Sequence, residues 1–137
     1  MANAIYPKAK EKFLSGNINM TSDTIKLALI DTADYTYSAA HEHYDDIAAG
    51  VPTNGTITVG TNKSVTNGVF DADDVTFVGI ATDLAHEALV LHKDTGVATS
   101  SPVILYIDVV TNGLPVTPNG GNITVSFDST ANKIFAL

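Results

Sequence analysis

The sequence predicts a mainly β protein, an antiparallel β-sandwich of jelly-roll-like or immunoglobulin-like kind, opened by one short helix. Three observations lead there. Apolar residues recur at every second position in several short runs, which places them on one face of a strand. Four Asn-Gly dipeptides lie between these runs, and both residue types tolerate the positive φ that tight hairpin turns demand. Helical patterning belongs to the opening residues, after which the period changes to two.

Taken in order, Pro7 suits a first helical turn, Ala9 to Phe13 are compatible with helix, and Gly16 is a natural stop. Tyr6, Ala9 and Phe13 then share one face. In Thr24–Asp31, Ile25, Leu27 and Leu29 alternate with Lys26 and Ala28. Thr56–Val59 and Val75–Ile80 read as shorter strands. Leu84–His92 fits either period, and its flanks, ATD before and KDTG after, favour a strand. Val103–Val110 is apolar on both faces apart from Asp108, as expected of a central strand covered on both sides. Asn122–Asp128 carries the cleanest alternation. The turn dipeptides are Asn54-Gly55, Asn67-Gly68, Asn112-Gly113 and Asn119-Gly120. No repeat, linker or low-complexity tract divides the chain, so residues 1–137 read as one domain, with 1–16 a helical segment that could serve as a docking arm.

Composition excludes several functions. At 137 residues, 45% of them apolar, the chain can bury a core without staples. Without cysteine it has no disulfide, no thiolate nucleophile and no cysteine-rich zinc site. A net charge of −8 with only seven basic residues repels phosphate backbones and anionic lipid, so neither nucleic acid nor membrane is an expected partner. Apolar runs such as Val103–Ile107 are far too short to span a bilayer. The opening MANAIYPKAKEKF has no continuous hydrophobic region or cleavage site and is not expected to act as a signal peptide. The N-x-[ST] matches at Asn19, Asn54, Asn62 and Asn122 are then most simply polar turn residues.

The densest chemistry lies in AAHEHYDDIAAG, residues 39–50. His41 and His43 point the same way only on a strand, whereas on a helix His41 faces Asp45. A zinc site needs a third ligand, and His86 or His92 would have to supply it. Nothing in the pattern brings them near residue 41, so no metal is expected. The stretch reads as a solvated loop or one-turn helix with Ser38 as N-cap and Gly50 as stop. In GTITVGTNKS, Thr61 and Asn62 separate Lys63 from the last glycine, which breaks the phosphate-loop pattern. DADD, residues 71–74, lacks the glycine and closing glutamate of a calcium loop and offers an incidental cation site at most. With no G-x-S-x-G, H-E-x-x-H or helically spaced carboxylate pair, no catalytic residue and no cofactor is assigned, and the chain is not expected to be an enzyme. Tyr35, Tyr37 and Tyr44 form an aromatic group whose commoner use is to pack a loop onto a sheet. The alternative is to rim a contact surface.

MANAIYPKAKEKFLSG, IKLALIDTADYTYSAAHEHYDDI, SVTNGVFDADDVTF and TNGLPVTPNGGNITVSFDSTANKIFAL, taken together, resemble a family of small proteins encoded by tailed bacteriophages and prophages. The resemblance covers nearly the whole chain. It implies a virion protein assembled in the host bacterial cytoplasm, similar to the capsid decoration or cement proteins that bind outside a shell, often as trimers, and bridge capsomers. The implied partners are the major capsid protein or another virion protein and further copies of the chain. The resemblance brings no catalytic residues. In that setting Ile5, Tyr6 and Phe13 are the expected apolar anchor, removable with residues 1–15 without unfolding, unless the helix covers an open end of its own sandwich. Tyr35, Tyr37 and the Asp45–Asp46 pair are expected at a second contact. Rival readings are a tail or baseplate component, a carbohydrate-binding module using the tyrosine-rich loop, and a metal-assisted hydrolase using His41 and His43.

Overall fold

Ile25–Ile30 pairs along its whole length with Ala88–Lys93, and the main sheet grows outward from these two strands. In the computed structural model, which describes residues 3–83, 85–108, 110, 113–127 and 133–137, the elements follow the chain in this order. They are β1 (Ala4–Ile5), α1 (Pro7–Leu14), β2 (Ile25–Ile30), β3 (Thr56–Thr58), β4 (Ser64–Thr66), β5 (Val69–Asp71), β6 (Val75–Phe77), β7 (Ala88–Lys93), β8 (Val103–Ile107), β9 (Ile123–Val125) and β10 (Phe135–Ala136). A five-stranded sheet has the order β1-β8-β7-β2-β3, a three-stranded sheet the order β10-β5-β4, and β6 pairs with β9. Every pairing is antiparallel. The class is the one predicted: mainly β, antiparallel, with one short N-terminal helix.

Register explains the burial. Ala28 lies opposite Val90, Val90 opposite Tyr106 and Tyr106 opposite Ala4, so these four share one face of the main sheet with Lys26 and His92. Leu27, Leu29, Leu89, Leu91, Leu105 and Ile107 share the other. The main sheet and Phe70, Phe77, Ile123, Val125 and Phe135 of the smaller sheets belong to one apolar cluster, a sandwich-like arrangement. The alternation in β2 predicts one dry face, yet Ala28 and Ile30 are buried as completely as Leu27 and Leu29. The cover on that side is the segment 31–51, treated below. All five residues of β8 are buried, as its doubly apolar pattern predicts. A bulge sets Ile104 as the extra residue between Leu105, opposite Leu91, and Val103, opposite His92.

Boundaries depart from the periodicity in places. The strand expected over Leu84–His92 begins at Ala88, and His86 instead forms an isolated bridge with Val116. Val75–Ile80 keeps strand geometry only to Phe77, and Asn122–Asp128 only over Ile123–Val125, where exposed Thr124 separates two buried residues. Leu84, Val109, Asn112 and Asp128, which end or punctuate the expected elements, lie outside the described residues. Of the turn dipeptides, Asn67-Gly68 closes the β4–β5 hairpin with φ of 52° and 78°, the left-handed pair a two-residue turn requires. Asn54 also has positive φ, but in a turn where Gly55 N–H donates to Pro52 O, and Gly120 N–H reaches across to Ile80 O. Neither closes a two-residue hairpin.

The N-terminal segment is part of the sheet and not a detached arm. Ala4 and Ile5 pair with Tyr106 and Leu105, and Tyr6 N–H donates to Ile104 O at 3.0 Å. Pro7 then opens α1, whose first turn needs no N–H from it, and Gly16, at φ 79°, ends it. Tyr6 and Ala9 are fully buried and Phe13 half-buried, which is the shared face expected from their spacing.

Candidate functional site

Two places concentrate the side chains that act beyond simple packing. The first is the tyrosine-rich segment between β2 and β3. Its base is closed by Asp31 N–H donating to Gly50 O at 2.8 Å, and the Asp31 carboxylate accepts the Ala33 N–H. Only glycine fits at position 50, because a Cβ there would lie 2.6 Å from the Tyr35 Cβ. So closed, the segment lays Tyr35 and Tyr37 on Tyr106, with ring centroids 6.4 and 5.4 Å away, and Tyr44 on His92 at 4.8 Å. These contacts cover the Ala28, Val90 and Tyr106 face of the main sheet.

The Tyr35 hydroxyl lies 2.8 Å from the Tyr6 hydroxyl and 2.8 Å from His41 Nδ1, so a hydrogen-bond chain runs from the core to a half-buried imidazole. Burial pushes the Tyr6 and Tyr35 hydroxyls up from their ordinary pKa, which keeps both protonated. Tyr35→Phe is therefore expected to cost about 1–3 kcal/mol, since it strands the buried Tyr6 hydroxyl. Adding Tyr6→Phe should cost less than the sum of the two single changes, because the stranded group is then gone. Denaturant titration of the four proteins measures this, and additive losses would deny the coupling.

The HEHYDD stretch is organised by Asp46. Its carboxylate accepts the N–H of Glu42 at 2.8 Å and of His43 at 3.2 Å, and the Glu42 N–H holds it below the usual carboxylate pKa. The single 3-10 turn Tyr44–Asp46 starts from His43 as N-cap, and a second runs over Ala48–Gly50. Ser38, expected to cap, instead accepts the Ala40 N–H at 3.2 Å, because the turn begins five residues later. Glu42 meets Lys12 at 2.8 Å, which ties the segment to α1 and lowers the Glu42 pKa. The histidines do not converge. His41 is bonded to Tyr35, His43 lies 3.7 Å from Glu42, and His86 and His92 are buried in the sheet region. Among the described residues no group of three or more histidine, aspartate or glutamate side chains could hold a metal ion.

The second place is an apolar groove of about 350 Å³ between the end of α1, the loop 16–21 and the β10-β5-β4 sheet. Its floor follows from register: Val65 is opposite Phe70 and Phe70 opposite Phe135, so the three stand in one row. Phe13 stacks toward Phe135 at 6.2 Å, and Ile18 and Met20 complete the wall. Val65 and Leu137 at the rim are 53% and 67% exposed, and neighbouring Leu14, at the end of α1, is 90% exposed. Among the described residues no charged side chain lines it. Exposed apolar surface gathered in one concave place marks a contact site more often than scattered single residues do.

Searches of known protein families, curated proteins and solved structures return no match. Function therefore rests on the groove, the covering segment and the sequence resemblance.

The residues expected at contacts separate into three groups. Tyr6 and Tyr35 are core side chains, which corrects their assignment to a docking surface: each spends its ring on packing and its hydroxyl on the internal chain. Ile5 and Tyr37 are half-buried against the core, and Tyr37 also stacks on Tyr6 at 5.0 Å. A glycan platform of Tyr35 and Tyr37 is thus not presented. Asp45 and Asp46 are exposed, and Phe13 lines the groove. The sequence reading misses Val65, Leu14 and Leu137. An isolated valine in TNKSVTNG is the one local hint, since nothing polar in that run explains it. No helix among the described residues is long and apolar enough to cross a membrane.

Proposed function

We propose that this protein is a structural component of a tailed-bacteriophage virion, a decoration or cement protein that binds the outside of the head and bridges capsomers. The observation that carries the reading is the apolar groove with its exposed rim of Val65 and Leu137, a surface left unfinished in the single chain. The sequence resemblance described above supplies the setting. The mechanism is contact without turnover: each interface buries roughly 800 Å² per partner, and several made by one assembly add avidity. The rigid antiparallel sheets hold the contact residues in place, and the net charge of −8 keeps the protein off the packaged genome.

The test is to remove the protein from the virion. Heads that lose DNA on heating or in low salt, beside tails of normal form, are the expected result. Malformed tails with sound heads would assign it to the tail instead.

A further inference from the structure

The register of β2 and β7 builds a small polar pocket beside the tyrosine-rich segment. Lys26 lies directly opposite His92, so their side chains stand side by side on the covered face of the main sheet. Asp94 follows two residues after His92, and its carboxylate meets Lys26 at 3.0 Å. The same carboxylate accepts the Gly96 N–H at 2.9 Å. Ser101 ties down the rest of that loop, accepting the Thr95 N–H at 3.0 Å and donating to Val97 O at 2.8 Å. Tyr44 closes the remaining side, its ring centroid 4.8 Å from that of His92. Between Lys26, Tyr44, Thr56, His92, Asp94 and Ser101 is left a pocket of about 200 Å³, open to solvent.

We propose that this pocket binds one ring of a neutral sugar, with His92 Nε2 accepting a hydrogen bond from a sugar hydroxyl. An open acceptor in a buried place carries the inference. His92 is 3% exposed. Among the described residues its ring makes one hydrogen bond, Nδ1–H donating to Val90 O at a long 3.5 Å, which leaves the lone pair on Nε2. Nε2 has no protein partner there and is not sealed into the core, so it is met from the pocket. The Tyr44 hydroxyl, also without a partner among the described residues, is raised in pKa by burial and stays protonated, ready to donate.

Charge and size select the ligand. Lys26 and Asp94 neutralise one another, and His92 is uncharged at neutral pH because burial brings its pKa down to about 4. A carboxylate or fully ionised phosphate would sit against Asp94 and has no proton to give Nε2. A cation would sit against Lys26. A hydroxyl both donates and accepts, so neighbouring hydroxyls of one ring answer His92, Lys26 and Asp94 together. Sites for drug-sized ligands run to roughly 300–1,000 Å³, and this smaller pocket suits a single ring with the Tyr44 side chain as its apolar wall. Neither Tyr35 nor Tyr37 lines it, and it shares no residue with the apolar groove, so the inference does not rest on the virion reading.

The test is a titration of the purified full chain with the methyl glycosides of glucose, galactose, mannose and N-acetylglucosamine. Imidazole nitrogen and backbone amide resonances are followed, with sodium phosphate and zinc chloride as separate titrants. At least one glycoside should bind saturably in the millimolar range and move His92 Nε2 and the Gly96 amide, while phosphate and zinc leave both in place. Tyr44→Phe, which keeps the ring over His92, and Lys26→Met should each weaken that binding about tenfold. Lys10→Met, on the exposed side of α1, should leave it unchanged. The wild-type shifts decide the site even where a variant is destabilised. No saturable shift with any of the four glycosides, shifts that map to another surface, or His92 moved by phosphate or zinc instead would overturn the proposal. An oligosaccharide ending in the sugar that binds separates the sources: bound, it assigns the end of a glycan, and unbound, a free sugar, with the site upheld either way.

Discussion

A chain lacking residues 1–15 is expected to be unfolded at room temperature. The deletion removes β1 and its pairing with Leu105 and Tyr106, leaving β8 as a bare edge. It removes Tyr6 and Ala9, both fully buried, and Phe13, which packs toward Phe135. It also strands the buried Tyr35 hydroxyl on its Tyr6 side and frees Glu42 from Lys12. Truncating one buried large aromatic to alanine costs about 3–5 kcal/mol, and domains of this size have roughly 5–15 kcal/mol in all. Losing Tyr6, the half-buried Phe13 and a strand together consumes that margin. Far-ultraviolet circular dichroism and a urea titration of the truncated chain decide it, with Tyr6→Ala as a milder companion expected to lower the midpoint while keeping a cooperative transition. A truncated chain that melts like the full one would restore the detachable arm.

Acid is expected to destabilise the protein well before its ordinary carboxylates titrate. His92 is buried in the face covered by the segment 31–51, under the Tyr44 ring and near the ion pair of Lys26 and Asp94 at 3.0 Å. Burial above all, with the Lys26 charge adding to it, brings its pKa down to about 4; the Val90 carbonyl and Asp94 pull the other way without prevailing. Above pH 6.5 the imidazole is neutral in both folded and unfolded chains, and stability is full. As pH falls from 6.5 toward 4, the unfolded chain takes a proton that the folded one refuses, so stability drops, by about 3 kcal/mol over that window, and levels off below it. Glu42, Asp46 and Asp94 extend the loss to lower pH. Lys12 lowers the first, the Glu42 N–H the second, and the Gly96 N–H followed by Lys26 the third, so each contributes stability that disappears as its carboxylate is protonated. Urea midpoints at half-unit pH steps measure the slope. His92→Leu should flatten it between pH 4 and 6.5 whatever it does to the absolute value, and an undiminished slope in that variant would place the proton elsewhere.

Much of the fold is legible in local pattern. The alternation of β2 and β9, the doubly apolar run of β8, Pro7 and Gly16 around α1, and the turn at Asn67-Gly68 each depend on neighbours a few residues away, and each lies within the stretch where it is expected, β8 and β9 being shorter than their runs. The strands the pattern misses, β1, β4, β5 and β10, have two or three residues; β3, β6 and β9 are no longer than that, but β9 is part of a longer alternating run from Ile123 to Phe127. The candidate site was harder to read. Tyr6 and Tyr35 look like surface anchors in sequence because a tyrosine serves a rim and a core equally well. Only their pairing across 29 positions, with the hydroxyls 2.8 Å apart, makes them core. Val65, Phe135 and Phe13 come from three separate parts of the chain, so no window on the sequence contains the groove.

By itself, then, the sequence determined the class of the protein, its one helix, its principal strands and its acidity, all of which follow from side-chain period and charge along a short length of backbone. Tertiary structure decided which face of β2 a loop would cover, whether the histidines would meet, and where apolar surface would remain open. Those outcomes depend on burial shared between residues distant in the chain, and a side chain's solvent exposure is settled only when its last neighbour has packed against it.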